Sequence, residues 1–504
     1  MIKNIKWLVL VSLTFVACNN NDDNTVADVP VTAGSANFTK YVALGNSITS
    51  GYSDGALFQA GQMNAYPNLL SQQFALAGGG TFSTPMMNDN IGGLLLGGNI
   101  IQATRLIFNG SAPVNLPGTP TTEVLNHLAG PFNNMGVPGA KSFHLLAPNY
   151  GNPAGVATGT ANPYFARFAS SATTSVLADA MAQQPTFFSL WIGNNDVLGY
   201  ATTGGDGTNP ITPATGAPGV GFDGTYNYLV TTLTSGGAKG VIANIPYVSS
   251  IPFFTTIPFN PLTASVIGNG NVATGQATIT QLNTQLYGPL NQALTAFGAG
   301  SRIQLLSTTA ANPLLIKDES LTDLSAQLTA AFTPSLGAST AAFYGQVYGQ
   351  ARQATAADLV LLTTKSVIGT APAGIPAPIN SFGITYPLQD KHILIPTEIS
   401  DLKTATDAYN VTIKAAATAN GLAFVDANAV MSQLATPSGI SFDNFNMTSA
   451  FVQGGAFGLD GVHPTARGQA YIANKFLEAI NATYGSTFKM YKPQDFPLSY
   501  PAGL

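Results

Sequence analysis

The chain has 504 residues, 45% of them hydrophobic, which is enough apolar material for a large core. Charged residues make up only 8%, against about 25% in average soluble domains, and the net charge is −5. Because phosphate binding needs concentrated positive charge and Lys and Arg nowhere cluster, nucleic acids and other polyanions are excluded as partners.

The first residues predict an export signal. Lys3 and Lys6 precede the apolar run WLVLVSLTFVA, and Cys18, the only cysteine, follows it directly. The run has about 11 residues, short of the roughly 20 that span a bilayer. The pattern resembles a bacterial lipoprotein signal over residues 1–17, after which Cys18 would carry a lipid that anchors the chain to a membrane. A plain secretory signal with an incidental cysteine is the alternative.

Residues 18–37 predict a disordered tether, because they contain too little apolar area to fold. The pair Asp22–Asp23 resembles the acidic patch that follows the cysteine in surface-exported lipoproteins of some Gram-negative bacteria. We therefore expect an outer membrane lipoprotein, and the acidic pair favours the cell surface. One cysteine allows no intrachain disulfide, and no Cys/His cluster has the spacing of metal ligands, so we expect no metal and no other cofactor.

The segments that follow predict an α/β fold. Four short apolar runs bounded by Gly or Pro are typical of buried parallel strands. They are Tyr41–Gly45, Thr186–Gly193, Gly240–Ile245 and Leu422–Ala427. Helical patterns cover residues 397–421, which open on Thr397, and residues 464–482, which open near Pro464. Alternating strands and helices predict a parallel sheet covered by helices on both faces.

Two regions are too long to be plain connections. We interpret residues from about 55 to 130 and from about 250 to 395 as insertions in one domain over residues 38–490, followed by a tail over 491–504. The second insertion begins IPYVSSIPFFTTIPFNP, where recurring prolines argue against helix and interior strand. The phenylalanines of this stretch form either a lid or acyl-binding wall, or simply core contacts of the insertion.

The first strand ends abruptly at Gly45-Asn46, followed by Ser47. Two interpretations are open: an ordinary turn, or a turn that presents the Ser47 hydroxyl as a nucleophile. A nucleophilic serine needs a base, a group that orients the base, and donors for the oxyanion. Among the four histidines, His463 is preceded three residues earlier by Asp460. A carboxylate there can accept from the imidazole Nδ1–H and leave Nε2 free to act as a base.

Two further stretches offer donors for an oxyanion. FNNMGVPGAKS places Gly139 in a turn, five residues after Asn134, and a glycine lets its N–H approach a substrate without an intervening Cβ. WIGNNDVLG ends a buried strand, and the Asn195 side chain can point into the crevice where open α/β sheets bind ligands. Each stretch alone is more typical of a turn than of a site.

Together the four stretches follow the order Ser, Gly, Asn, Asp-x-x-His, and in this the chain resembles the SGNH/GDSL hydrolases. GNSIT resembles the nucleophile block, NMGVPGAK the glycine block, GNND the G-x-N-D block and DGVHP the terminal D-x-x-H block. The resemblance implies the family's flavodoxin-like three-layer α/β/α sandwich with a parallel sheet. It leaves the two large insertions unassigned.

The resemblance also implies residue roles. Ser47 would be the nucleophile, His463 the base and Asp460 the group that orients the base. The backbone N–H groups of Ser47 and Gly139, with the Asn195 side chain, would form the oxyanion hole. These roles together predict acyl transfer to water without a cofactor.

Two positions depart from common patterns. Asn46 stands where the SGNH/GDSL family usually carries Asp, at a position outside the family's catalytic machinery. Thr49 takes the place of the final glycine in the G-x-S-x-G turn of α/β-hydrolases, which points away from that lipase fold.

The predicted function is a serine ester hydrolase of the esterase or lipase type, whose substrate is an ester of a lipid or of an acylated carbohydrate. One alternative is a carbohydrate acetylesterase that removes acetyl groups from polysaccharide. Another is a surface binding lipoprotein that kept the fold and lost catalysis, although a binder has no need for Ser47, Asn195, Asp460 and His463 together. The motifs do not specify the substrate.

Overall fold

The structure is a computed structural model that describes residues 30–442 and 445–504. The predicted signal over residues 1–17, the lipidation site Cys18 and the tether up to residue 29 lie outside the described residues. Within the described ranges, no helix is both long enough and apolar enough to cross a membrane.

A five-stranded parallel sheet forms the centre of the fold. Its strands are β1 (Tyr41–Gly45), β2 (Asn134–Gly136), β3 (Phe187–Trp191), β4 (Lys239–Ala243) and β5 (Ala423–Val425). Across the sheet the order is β5-β4-β3-β1-β2, and every neighbouring pair is parallel. In the sheet, β2 lies on one side of β1, and β3, the next strand along the chain, lies on the other side of β1. Ligands of open α/β sheets bind outside the carboxyl ends of the strands at such a switch point.

Eight helices cover the sheet or border its carboxyl edge. They are α1 (Ser47–Ser50), α2 (Tyr66–Ala75), α3 (Val176–Ala182), α4 (Asn194–Thr202), α5 (Phe222–Thr234), α6 (Pro396–Asn420), α7 (Ala427–Leu434) and α8 (Ala466–Tyr484). Val42 and Leu44 enter a core shared with α3, α5 and α6, whereas Tyr41 and Ala43 enter a second core shared with α2 and α8. Because both faces of the sheet are buried, β1 and β3 consist mostly of apolar residues.

The predicted three-layer α/β/α sandwich with a parallel sheet is confirmed. The four predicted strands are present, with identical or slightly shifted ends. The fifth strand, β2, was not predicted; it runs over Asn134–Gly136 and pairs with β1. The predicted helix over residues 397–421 begins at Pro396, which fits a first helical position because it needs no N–H donor there, and ends at Gly421 as expected. Helix α8 is capped by the Thr465 side chain, so Pro464 lies just outside it.

The first insertion supplies α2 and two antiparallel hairpins. The hairpins pair Leu94–Leu96 with Asn99–Gln102 and Leu106–Phe108 with Pro113–Asn115. Other short elements outside the sheet are the helices Gln59–Met63, Pro153–Val156, Pro163–Ala166 and Ala264–Ile267, and the hairpin that pairs Ile440–Phe442 with Phe445–Met447.

The second insertion has buried clusters of its own, separate from the two sheet cores. Its longer helices are Val272–Leu282, Gly288–Ala296, Ser325–Leu336 and Ala338–Tyr348, and its strand pairs are Leu315–Lys317 with Ala351–Gln353 and Leu359–Val360 with Ile393–Leu394. Arg352 braces this part of the chain through ion pairs to Asp318 at 2.5 Å and Asp358 at 2.6 Å.

The expectation that prolines prevent helix at the start of the second insertion is wrong. A four-residue helix, Pro252–Thr255, forms with proline in its first position, where proline is tolerated. Phe254 is fully buried in the sheet core, and Phe253 and Phe259 pack against buried clusters. The phenylalanines of this stretch are therefore core contacts.

Both ends of the described chain pack on the domain. The Ser35 N–H donates to the Tyr484 carbonyl at 2.8 Å, so the part of the expected tether over residues 30–37 belongs to the domain, which begins before residue 38. At the other end, the fully buried Arg105 guanidinium donates to the Tyr500 carbonyl at 3.0 Å and fastens the C-terminal tail to the first insertion.

Candidate active site

Ser47 is the first residue of α1, directly beyond the carboxyl end of β1. The turn needs a glycine before it, because a Cβ on Gly45 would lie 2.1 Å from Thr49 Oγ1 and 2.6 Å from the Trp191 carbonyl. The Asn46 side chain then caps α1 by accepting from the Ile48 N–H at 3.0 Å. Cap and glycine together fix the position of the Ser47 hydroxyl at the switch point of the sheet.

His463 lies within hydrogen-bonding distance of Ser47. His463 Nε2 is 2.8 Å from Ser47 Oγ, and His463 Nδ1 is 2.8 Å from Asp460 Oδ2. A carboxylate can only accept a hydrogen bond, so Nδ1 carries the hydrogen and Nε2 presents its lone pair to the serine hydroxyl. The structure thus brings together three of the residues singled out from the sequence, in a continuous line of hydrogen bonds.

Asp460 is held in place by four donors. Its Oδ1 accepts from the Val462 and His463 N–H groups at 2.9 Å each, and its Oδ2 accepts from the Gly55 N–H at 2.8 Å in addition to the imidazole. Burial raises the pKa of Asp460, but the charge and hydrogen bond of His463 and the backbone N–H groups outweigh it, so the pKa lies below its usual value. Asp460 is therefore an ionised acceptor at neutral pH.

The loop that carries His463 is braced on several sides. The Gly458 N–H donates to the His463 carbonyl at 2.8 Å, and the Phe253 N–H from the second insertion donates to the Gly461 carbonyl at 2.9 Å. The Tyr52 ring lies 4.6 Å from the imidazole ring, between centroids. These contacts restrict the imidazole to one orientation, which a base must have before substrate arrives.

The three donors expected for an oxyanion are the Ser47 N–H, the Gly139 N–H and the Asn195 side chain, and of these Asn195 lines the same pocket as Ser47. Gly139 is exposed at the surface of its loop with φ of +80°, a conformation that favours glycine. Within the described part of the chain, the N–H groups of Ser47 and Gly139 donate to no protein acceptor. The Asn195 side chain uses one amide hydrogen to donate to the Ala140 carbonyl at 2.9 Å, which leaves its second hydrogen free.

Asp196 holds the glycine loop and was not singled out from the sequence. Its carboxylate accepts from the Ser142 N–H at 2.8 Å and from the Ser142 Oγ at 2.6 Å. Burial raises the pKa of Asp196 to about 6, although the Ser142 hydrogen bonds oppose the rise. Its place in GNND was a visible signal, but the sequence does not show which side chain of that block faces the loop of Gly139.

Asn46 links two of the motif stretches. Its Nδ2 donates to Asn194 Oδ1 at 3.1 Å, while its Oδ1 caps α1. An aspartate here would keep the cap but would need the Asn194 amide to turn and donate. The departure from the family pattern at this position thus leaves the cap of α1 intact.

Asp54 is a second buried carboxylate behind the site. Its Oδ1 accepts from the Leu459 N–H at 2.7 Å, and the next residue, Gly55, donates to Asp460. Burial raises the pKa of Asp54 to about 6, and the Leu459 N–H and the Arg105 charge only partly offset this effect. Asp54 therefore ties the segment after α1 to the loop that carries Asp460.

The other histidines are bound to backbone groups elsewhere. His127, His144 and His392 each have a ring nitrogen 2.9 to 3.2 Å from a main-chain group. Across residues 30–442 and 445–504, no group of three or more His, Cys, Asp or Glu side chains is arranged to hold a metal ion.

Comparison with known protein families supports the resemblance to the SGNH/GDSL hydrolases. A family model described as GDSL-like Lipase/Acylhydrolase matches residues 323–476, a range that includes Asp460 and His463 and excludes Ser47, Gly139 and Asn195. Comparisons with curated proteins and with solved structures gave no significant match. The match covers only part of the chain; it supports the SGNH/GDSL hydrolase family and, with it, a serine hydrolase of the SGNH type.

Proposed function

We propose that the protein hydrolyses carboxylic esters through an acyl-enzyme on Ser47, with His463 as base and Asp460 as the group that orients it. The observation that carries this proposal is the line of hydrogen bonds from Ser47 Oγ through the imidazole to Asp460, which joins residues 416 positions apart in sequence. Such an arrangement is the recurrent means of activating a serine hydroxyl.

In the first half of the reaction, Ser47 Oγ attacks the ester carbonyl carbon while its proton passes to His463 Nε2. The carbonyl oxygen becomes an oxyanion, which accepts hydrogen bonds from the Ser47 and Gly139 N–H groups and from the free amide hydrogen of Asn195. The bond to the alkoxy oxygen then breaks, and the imidazolium returns its proton to the leaving alcohol. Ionised Asp460 stabilises the imidazolium between these two steps.

In the second half, water replaces the alcohol. His463 Nε2 takes a proton from the water as its oxygen attacks the acyl carbon, and the same donors bind the second oxyanion. The bond from the acyl carbon to Ser47 Oγ breaks, the serine regains its proton from the imidazolium, and the carboxylic acid leaves. Overall, one ester and one water are consumed, one alcohol and one carboxylic acid are released, and the enzyme returns to its starting state.

Hydrolysis of p-nitrophenyl acetate by Ser47→Ala tests the proposal. We expect kcat to fall by about 10⁶, to near the background rate, because the nucleophile is removed. Ser335→Ala is the matched control, since Ser335 is an exposed serine on the helix Ser325–Leu336 of the second insertion. Activity of Ser47→Ala equal to that of the control contradicts the proposal, and an inactive wild type favours the binding-protein alternative.

We further propose that a lipid on Cys18 anchors this hydrolase to the outer membrane, on the evidence of the N-terminal sequence alone. Mass spectrometry of the N-terminal peptide from the membrane fraction tests this: the proposal expects a lipid-modified Cys18, and Cys18→Ala is expected to release the protein from the membrane. An unmodified mature chain that begins elsewhere contradicts the anchor without affecting the proposed reaction.

A further inference from the structure

A pocket opens beside the Ser47 hydroxyl and runs away from it under the carboxyl edge of the sheet. It contains about 120 Å³ of space open to water-sized groups. Ser47, Asn195 and His463 line one part of it. Val425, at the end of β5, and Met431 on α7 line another part.

The wall beyond the catalytic groups is apolar. It includes Leu198, Val248, Met447 and Ile472, contributed by four different segments of the chain. The phenylalanines at the start of the second insertion, which the sequence offered as an acyl-binding wall, do not line it. A hydroxyl-rich ligand buried here would leave its polar groups unpaired, at a cost for each, whereas an alkyl chain would gain from every buried methylene.

The residues that line the pocket reach from the end of β1 to the end of β5. β1 and β5 are separated by three inter-strand steps of about 4.8 Å, so the distance from the end of β1 to the end of β5 is roughly 14 Å. A carbon–carbon bond of about 1.5 Å advances a zigzag chain by roughly 1.25 Å, so about ten or eleven carbons fit in this span.

We propose that this pocket is the acyl-binding site and that the preferred substrates are esters of unbranched acids of about ten carbons. The inference rests on the proposed function and adds the substrate class to it. The acyl carbon lies at Ser47, the chain extends along the apolar wall towards α7, and the alcohol leaves on the solvent side. This assignment disfavours acetylated polysaccharide, because an acetyl group leaves the apolar wall unused.

The test is kcat/KM for p-nitrophenyl esters from acetyl to hexadecanoyl, each below its aggregation concentration. Each methylene that enters the pocket is worth about a fourfold increase, so the six methylenes between butyryl and decanoyl allow a rise of up to about 4000-fold. We expect kcat/KM to rise by at least about 100-fold over this range and to stop rising beyond about twelve carbons. A maximum at acetyl or butyryl overturns the inference.

Val430→Trp adds a local test. Val430 is a half-buried residue of α7 that lines the pocket, and a tryptophan there would shorten it. We expect the ratio of kcat/KM for decanoyl over butyryl to fall at least tenfold. Val411→Trp is the matched control, because Val411 is 71% exposed on α6 and does not line the pocket. An unchanged ratio in Val430→Trp overturns the inference.

Ile472→Trp, at a lining residue on α8, repeats the test if Val430→Trp does not fold. The wild-type series decides the question by itself if neither variant folds. The two proposals fail in different ways: absence of hydrolysis on every ester removes the proposed function, whereas hydrolysis that prefers acetyl removes only the acyl-binding site.

Discussion

Replacing Asp460 by asparagine tests how the site orients its base. The carboxylate accepts four hydrogen bonds, two on each oxygen, and asparagine has one acceptor oxygen and one amino group. In one orientation, the amide oxygen of the asparagine still accepts from the Val462 and His463 N–H groups. The amino group then faces the Gly55 N–H and His463 Nδ1. Nδ1 then becomes an acceptor, its hydrogen moves to Nε2, and Ser47 loses its base.

The opposite orientation of the amide is less favourable. It would turn the amino group towards both the Val462 and His463 N–H groups and leave two backbone donors unpaired, whereas the first orientation leaves only the Gly55 N–H unpaired. The difference of one unpaired donor is about 1–3 kcal/mol in favour of the inactive tautomer. This preference alone corresponds to about 5- to 150-fold in kcat, and the loss of the negative charge that stabilises the imidazolium adds to it. Asp460→Asn is expected to lower kcat by about 10⁴ in total, or about 5.5 kcal/mol in activation free energy.

The assay measures kcat on p-nitrophenyl acetate together with urea unfolding. The free energy of unfolding is expected to fall by about 1–3 kcal/mol, from the unpaired Gly55 N–H. Asp401→Asn, an exposed aspartate of α6, is the matched control. A kcat within tenfold of the wild type in folded Asp460→Asn would refute the orienting role of the carboxylate.

Three further variants test the surroundings of the site. Asn195→Ala should lower kcat by about 10²–10³ through loss of an oxyanion donor, and a change below fivefold would contradict that role. Ser142→Ala should lower the free energy of unfolding at pH 7 by about 1–3 kcal/mol, because Asp196 loses a donor in a buried position; urea titration measures this, and a loss under about 0.5 kcal/mol would count against it. Asp54 has a pKa raised from 3.8 to about 6, so its stabilising contribution is complete below pH 3.8 and is lost as the pH rises through 6. Relative to Asp54→Asn, the wild type should therefore lose about 2 kcal/mol of unfolding free energy between pH 4 and 7, and parallel pH profiles would contradict this.

The strands were predictable because the sheet is buried on both faces. Strands β1 and β3 are apolar except for Ser189 of β3, and such a run stands out against polar surroundings. β2 has only three residues, Asn134–Gly136, and no run of that length is distinctive. The helix Pro252–Thr255 was not predicted, because a proline argues against a helix only when it lies beyond the first helical turn, and Pro252 is at the first helical position.

The residue types of the site were predictable, but their contacts were not. The sequence placed Ser47 and His463 on different elements, and only the fold brings them to 2.8 Å. Asp196 and Asp54 escaped notice because each acts across the fold, Asp196 on Ser142 and Asp54 on a backbone N–H 405 positions away. Local spacing carries no information about contacts of this kind.

The pocket could not be predicted from any single segment. Its walls come from β5, α4, α7 and α8 and from the hairpin that ends at Met447, and their apolar residues look like ordinary core residues in sequence. Only the order of the strands across the sheet shows that these segments meet beside Ser47. The proposed acyl-binding site therefore depends on the fold and not on any sequence motif.

Mass spectrometry after treatment with an alkyl fluorophosphonate tests the central claim most directly. The account predicts one phosphonyl adduct per chain, on Ser47, formed rapidly in the wild type and at least 100-fold more slowly in His463→Ala, because the imidazole removes the serine proton. An adduct on another serine, or equal labelling rates in the wild type and His463→Ala, would contradict it.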